Sequence, residues 1–183
     1  AILYAMDGQG LSENDQQLSP VIVSDNESGA YITYTNKTTG LEVLYVQHVG
    51  ADLEPTWDLD GLAPNGTTLL GQFNPQMVTS ADGYLYYLWT EEIFFQGLYI
   101  FAQKFDINGV AQWSDGGLVV SPADVTGDPY ARSIVAMADS TVIYVWELET
   151  IDGTNTFVSK LGPDGTTLWT EAVTEAAGSQ RGS

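Results

Sequence analysis

Apolar and polar positions along this chain alternate with a period of two, in short runs separated by turn-forming clusters, and the runs recur. Ala30–Thr35 (AYITYT), Tyr84–Thr90 (YLYYLWT) and Thr141–Glu147 (TVIYVWE) are three copies of one such run. Each follows a shorter run, opening at Pro20, Pro75 and Arg132, and a turn marked by Asp25-Asn26, Asp82-Gly83 and Asp139-Ser140. A second set lies further on: Tyr45–Trp57 (YVQHVGADLEPTW), Phe101–Trp113 (FAQKFDINGVAQW) and Phe157–Trp169 (FVSKLGPDGTTLW). Alternation of this kind reads as strand, because successive side chains of an extended backbone point to opposite faces. Asn108-Gly109 and Asp164-Gly165 are hairpin turns, since these pairs accept positive φ; Asp52-Leu53 stands at the same place in the first copy as a degenerate turn.

Trp57, Trp113 and Trp169 mark a period of 56 residues, 57 to 113 and 113 to 169. Two hairpins per period make four strands, and a four-stranded unit repeated along a chain is the signature of a propeller blade. The expected fold is therefore all-β: three four-stranded antiparallel blades, forming a partial propeller or half of a six-bladed assembly. The expected boundaries are 1–17 for an outer strand of a preceding blade and its connection, 18–60, 61–116 and 117–173 for three blades, and 174–183 for a tail or linker. Closed rings typically need about four to eight blades, so three leave sheet edges open. Further blades, from the same or a longer chain, or a homodimer completing a six-bladed ring, are the expected partners.

The pattern from Tyr99 to Trp113 (YIFAQKFDINGVAQW), with its Asp-Gly turns and spaced tryptophans, resembles the propeller repeats of secreted Bacteroidetes-type surface proteins, over about residues 18 to 173. Such proteins often carry a type IX secretion sorting domain, so the resemblance implies a secreted or cell-surface protein. The turn-plus-Trp is more distantly similar to the Asp-box of sialidase-like propellers. It departs from that box in lacking the leading Ser/Thr and in placing Trp four residues after Gly in the two later copies.

Charge narrows the partners. With 24 acidic against five basic residues, a net of −19, the surface lacks the Lys and Arg that phosphate or anionic lipid would require, so nucleic acid is excluded. No apolar run approaches the ~20 residues of a spanning helix, and no membrane insertion is expected. Cysteine is absent, which removes disulfides and thiolate metal sites. Calcium is the candidate cofactor: Asp106 with Asn108, and Asp58 with Asp60, set oxygen ligands at alternate loop positions, as hard cations prefer, although Asp and Asn in turns also serve turn geometry.

No active site assembles from the sequence. His48, the one histidine, falls where the other copies carry Lys104 and Lys160, a position expected to face solvent. Arg132 and Arg181 cannot supply the arginine cluster of a sialidase. Short modification signals occur at Asp139-Ser140-Thr141 and at the sequons of Asn26, Asn36 and Asn65. One stretch breaks the repeat: Glu91, Glu92, Phe94 and Phe95 form a loop whose paired phenylalanines are costly to expose unless they meet a neighbouring blade or a partner. The expected function is an extracellular binding or scaffold module that recognises protein or glycan at the cell surface. The alternatives are part of a propeller glycoside hydrolase or lyase whose catalytic residues lie outside this chain, and a purely structural repeat in an adhesin or filament.

Overall fold

The computed structural model describes residues 17–37, 41–58, 60–65, 71–123 and 125–173. They form three antiparallel sheets, and no helix occurs among them. Strands β1 (Gln17–Ser24), β2 (Ala30–Asn36) and β3 (Val43–Val49) make the first sheet. The second contains β4 (Gln72–Thr79), β5 (Leu85–Ile93), β6 (Gly97–Phe105) and β7 (Leu118–Val119). The third contains β8 (Asp128–Ala136), β9 (Val142–Thr150), β10 (Gly153–Leu161) and β11 (Thr167–Ala172). Strands follow one another in chain order within each sheet. The first strands, β1, β4 and β8, lie side by side from sheet to sheet. Each contains an irregularity in its pairing with the next strand, and in β1 and β4 this coincides with a left-handed residue before proline, Ser19 (φ 52) and Asn74 (φ 54).

The core lies between sheets. Tyr31, Leu44 and Val46 of the first sheet meet Met77, Leu85, Tyr87, Trp89, Phe101 and Phe105 of the second. Tyr86, Leu88, Ile100 and Ala102 of the second meet Ala131, Val142, Tyr144, Trp146 and Leu161 of the third. Strand β5 belongs to both layers. Its odd residues Leu85, Tyr87 and Trp89 face the first sheet and its even residues Tyr86 and Leu88 face the third, which is why its sequence is apolar throughout. In β9 only Val142, Tyr144, Trp146 and Leu148 are buried, and the alternate residues are not.

The fourth strand departs from the expectation in two sheets of three. In the first sheet it is reduced to single bridges, Val49 to Pro55 and Val46 to Leu62. In the second, Phe105 bridges Ala111, and the chain then turns at Gly116 and Gly117 before β7 pairs briefly with β6. The second sheet thus runs to Val119, past the expected boundary at 116. Buried glutamines replace the missing ladder. Gln47 Oε1 accepts from the N–H of His48 and Trp57 while its Nε2 donates to the Asp58 carbonyl. Gln103 does the same for Lys104, Trp113 and Ser114. Ser159 stands in the third copy, where β11 pairs with β10 over five positions with one register shift beside Trp169, and Trp169 alone of the three tryptophans sits in a strand.

Successive sheets are joined in the same way twice. Trp57 Nε1 donates to the Ile107 carbonyl at 3.0 Å, and Trp113 Nε1 to the Pro163 carbonyl at 3.1 Å. Both carbonyls belong to the turn between the third and fourth strands of the next sheet. Glycines there let the indole close in: a Cβ on Gly109 would stand 3.0 Å from Trp57, and one on Gly165 3.1 Å from Trp113.

Candidate functional site

The β5–β6 hairpin carries the most exposed aromatics among the described residues. Gln96 N–H donates to the Ile93 carbonyl, closing a turn in which Phe95 takes φ 60 and Gly97 φ 100. This geometry throws both rings outward: Phe94 is 64% and Phe95 93% exposed, with ring centroids 3.9 Å apart. Glu92 is exposed beside them. Glu91 does not share this surface. It is 4% exposed, and its carboxylate accepts from Trp89 Nε1 at 2.9 Å, Gln72 Nε2 at 2.9 Å and Asn65 Nδ2 at 2.8 Å. Alternation along β5 puts Glu91 on the face of Trp89, so it anchors the connection between sheets instead of a partner. The equivalent β9–β10 tip exposes Ile151 completely, a residue the sequence reading passed over because a lone apolar residue in a two-residue turn breaks no pattern.

Of the candidate calcium ligands, the Asp106 carboxylate and the Asp58 and Asp60 carbonyls take part in local hydrogen bonds. Asp106 Oδ1 accepts from the N–H of Asn108 and Val110, both at 2.9 Å. The Asp58 carbonyl receives Gly61 N–H and the Gln47 amide, and the Asp60 carbonyl receives the Tyr34 hydroxyl. Among the described residues no group of three or more His, Asp or Glu side chains is arranged to hold a metal ion.

His48 is not at the surface, as the sequence position suggested, but 5% exposed. Its Nε2 lies 3.0 Å from Asp25 Oδ2 and its Nδ1 2.6 Å from Thr56 Oγ1. Burial pushes the Asp25 carboxyl up, but hydrogen bonds from Glu27 N–H, His48 and Gly29 N–H outweigh it and hold the carboxyl below the ordinary range. An imidazole between a carboxylate and an exposed hydroxyl is the geometry that activates a nucleophile. Here the repeat supplies a different explanation. Lys104 occupies the place of His48 in the second sheet, and the turn acid near it is Asp82, two residues beyond the position equivalent to Asp25, where hydrogen bonds from Ser80 and Ser140, with the charge of Lys104, hold its carboxyl low. Lys160 Nζ lies 3.3 Å from Asp139 in the third. The arrangement is a clasp between the first turn of each sheet and its third strand, and Thr56 Oγ1 also donates to the His48 carbonyl. Tyr31, against the His48 ring at 4.6 Å, has the one buried side-chain polar atom without a hydrogen bond among the described residues. Burial, with the negative charges of Asp25, Asp106 and Glu27, pushes its hydroxyl up to about 12.

Arg132, the one described arginine, is bound to Glu147 at 2.7 Å and lies over the Tyr130 ring. Of the sequon asparagines, Asn26 donates to the Ser80 carbonyl, Asn65 to Glu91, and Asn36 is buried.

No family model matches the chain, and no curated protein matches it. Solved structures do. A glycosyl hydrolase from Bacteroides ovatus is 11% identical with a TM-score of 0.51, over 88% of this chain and 53% of that one. A structure from work on the GH130 family of mannoside phosphorylases, which contains glycoside hydrolases that target β-1,2-mannosidic linkages in Candida mannan, is 11% identical with a TM-score of 0.52, over 88% and 52%. A family 43 glycoside hydrolase from Bacillus licheniformis is 15% identical with a TM-score of 0.51, over 86% and 40%. The chain spans about half the length of these structures or less, and the likeness is one of fold: sheets arranged as in a β-propeller.

Proposed function

We propose that the three sheets are blades of a propeller larger than the described residues, and that it serves as an extracellular recognition or scaffold module, with the strand-connecting tips as its contact surface. The observation that carries this reading is the Phe94–Phe95 pair, held outward by its own turn with no sheet against it among the described residues. An exposed aromatic pair flanked by an acid offers apolar faces to a sugar ring or a protein side chain, and such patches mark contact sites. The test is retention on a glycan panel and on immobilised polysaccharides. Wild type is retained on at least one, and the double variant F94A/F95A loses at least tenfold in affinity with its melting temperature unchanged. Equal retention of both, or of neither, sinks the reading and leaves a spacer.

The second reading, a segment of a propeller glycoside hydrolase, is favoured by the fold shared with the hydrolases above. Glycoside hydrolysis uses a pair of carboxylates about 5 to 9.5 Å apart. The first strands open at Gln17, Gln72 and Asp128, and the position shared by Gln17 and Gln72 is Pro129 in the third sheet, so on this reading the pair comes from blades outside these residues. On either reading this chain alone releases no reducing sugar from arabinan, xylan or mannan. Release would overturn the recognition reading.

A further inference from the structure

The sheets present one side-chain row three times, and it is covered twice. Cross-strand partners share a face. In the first sheet Val23 opposes Tyr31 and Tyr31 opposes His48, with Trp57 next in line, and Val23, Tyr31 and Trp57 pack against the second sheet. In the second sheet Val78, Tyr86 and Lys104 oppose one another in the same way and Trp113 follows. Val78, Tyr86 and Trp113 pack against the third sheet, where the Tyr86 hydroxyl donates to the Ser140 carbonyl. In the third sheet the row is Val135, Ile143, Lys160 and Trp169. It lies on the face turned away from the second sheet, with Val135 49% and Trp169 39% exposed, and among the described residues no carbonyl receives the Trp169 indole.

We infer that this third row is the docking face for a fourth sheet of the same repeat, one whose turn between third and fourth strands carries glycine where Gly109 and Gly165 stand. The proposal rests on the reading of the chain as part of a larger propeller, and its warrant is continuity with the two interfaces already formed. The same geometry excludes a second copy of this chain as the occupant. At the corresponding turn of the first sheet stands Leu53, which keeps the left-handed conformation (φ 65) but brings a side chain, 56% exposed, into the space an incoming indole needs. At Gly109 and Gly165 even a Cβ would stand 2.6 Å from Leu62 and 2.3 Å from Leu118, the side chains that arrive with Trp57 and Trp113.

L53G supplies the probe, because it gives the full chain a glycine turn without disturbing its own backbone. Light scattering across a concentration series is expected to show wild type with the mass of one chain and L53G associating at least tenfold more tightly. The double variant L53G/W169A is expected to return to a single chain, with melting curves showing all three folded. An L53G that stays a single chain overturns the proposal. So does a wild type that associates and loses that association in W169A, since the occupant is then a second copy. Neither result touches binding at Phe94 and Phe95, which is scored separately.

Discussion

Asp25 shows how one residue can look catalytic and be structural. Its carboxylate is buried, its pKa is depressed by hydrogen bonds that exist only in the folded chain, and it holds the imidazole of His48. A carboxyl whose folded pKa lies below its unfolded value stabilises the fold fully above about pH 4, the ordinary Asp value, and that contribution is lost as pH falls through the folded value. D25N should therefore lower stability by about 1–3 kcal/mol at pH 7, with the gap to wild type narrowing below about pH 4 in urea melts. A gap that persists unchanged in acid would locate the loss in packing and not in ionisation. Sequence placed His48 with Lys104 and Lys160, and that alignment held; the expected exposure did not. The position lies on a strand that carries charge, and nothing in a run such as YVQHV or FAQKF tells which charged side chain meets a turn acid a strand away. Glu91 and Glu92 belong to β5 and not to the expected contact loop; in a strand two consecutive glutamates face opposite ways, and Trp89 at two residues' distance marks the buried one.

At the scale of the strand and turn, the hairpin signals carried most of what could be read. The second and third strands of every sheet stand where alternation put them, with Asp in the turn before each second strand. The tryptophan period suggests a fourth-strand ladder, whereas in the first two sheets Gln47 and Gln103 reach out from the third strand to bond the irregular backbone that replaces it. That signal was present as Gln, Gln, Ser at equivalent positions, but it acquires meaning only beside the pairing of β11. Two glycine turns make the packing argument testable. Gly83 and Gly165 share φ 84, but a Cβ on Gly83 meets nothing within 4 Å while one on Gly165 meets Leu118 and Trp113. Alanine at Gly83 should cost about 1 kcal/mol for the left-handed backbone alone. Alanine at Gly165 should cost at least twice that in thermal melts, because the joint between sheets must also open. Equal costs would mean that the glycine serves the turn and not the joint.

Across the whole molecule, stability is held in two layers between three sheets, so the sheets depend on their neighbours and not on separate cores. Trp113 and Trp169 are equivalent in sequence and opposite in consequence. W113A should lower stability by about 2–4 kcal/mol, less than a fully buried indole since Trp113 is half-buried, while W169A should cost under 1 kcal/mol in a single chain. Chemical denaturation of both variants decides it, and a comparable loss in W169A would mean that its face is already covered. Periodicity revealed the number and order of the sheets. It could not reveal that the two ends differ, because Leu53 reads as a blemish in a turn until the twin glycines are seen lying under indoles.

That difference bears on aggregation. A head-to-tail contact that does not close on itself propagates into a filament, and the first and third sheets each turn one face away from the second. An indole on one such face and a glycine on the other would let copies of this chain join in that way. A single leucine side chain at position 53 works as a stop on that polymerisation, and a net charge of −19 adds repulsion between any two copies that approach.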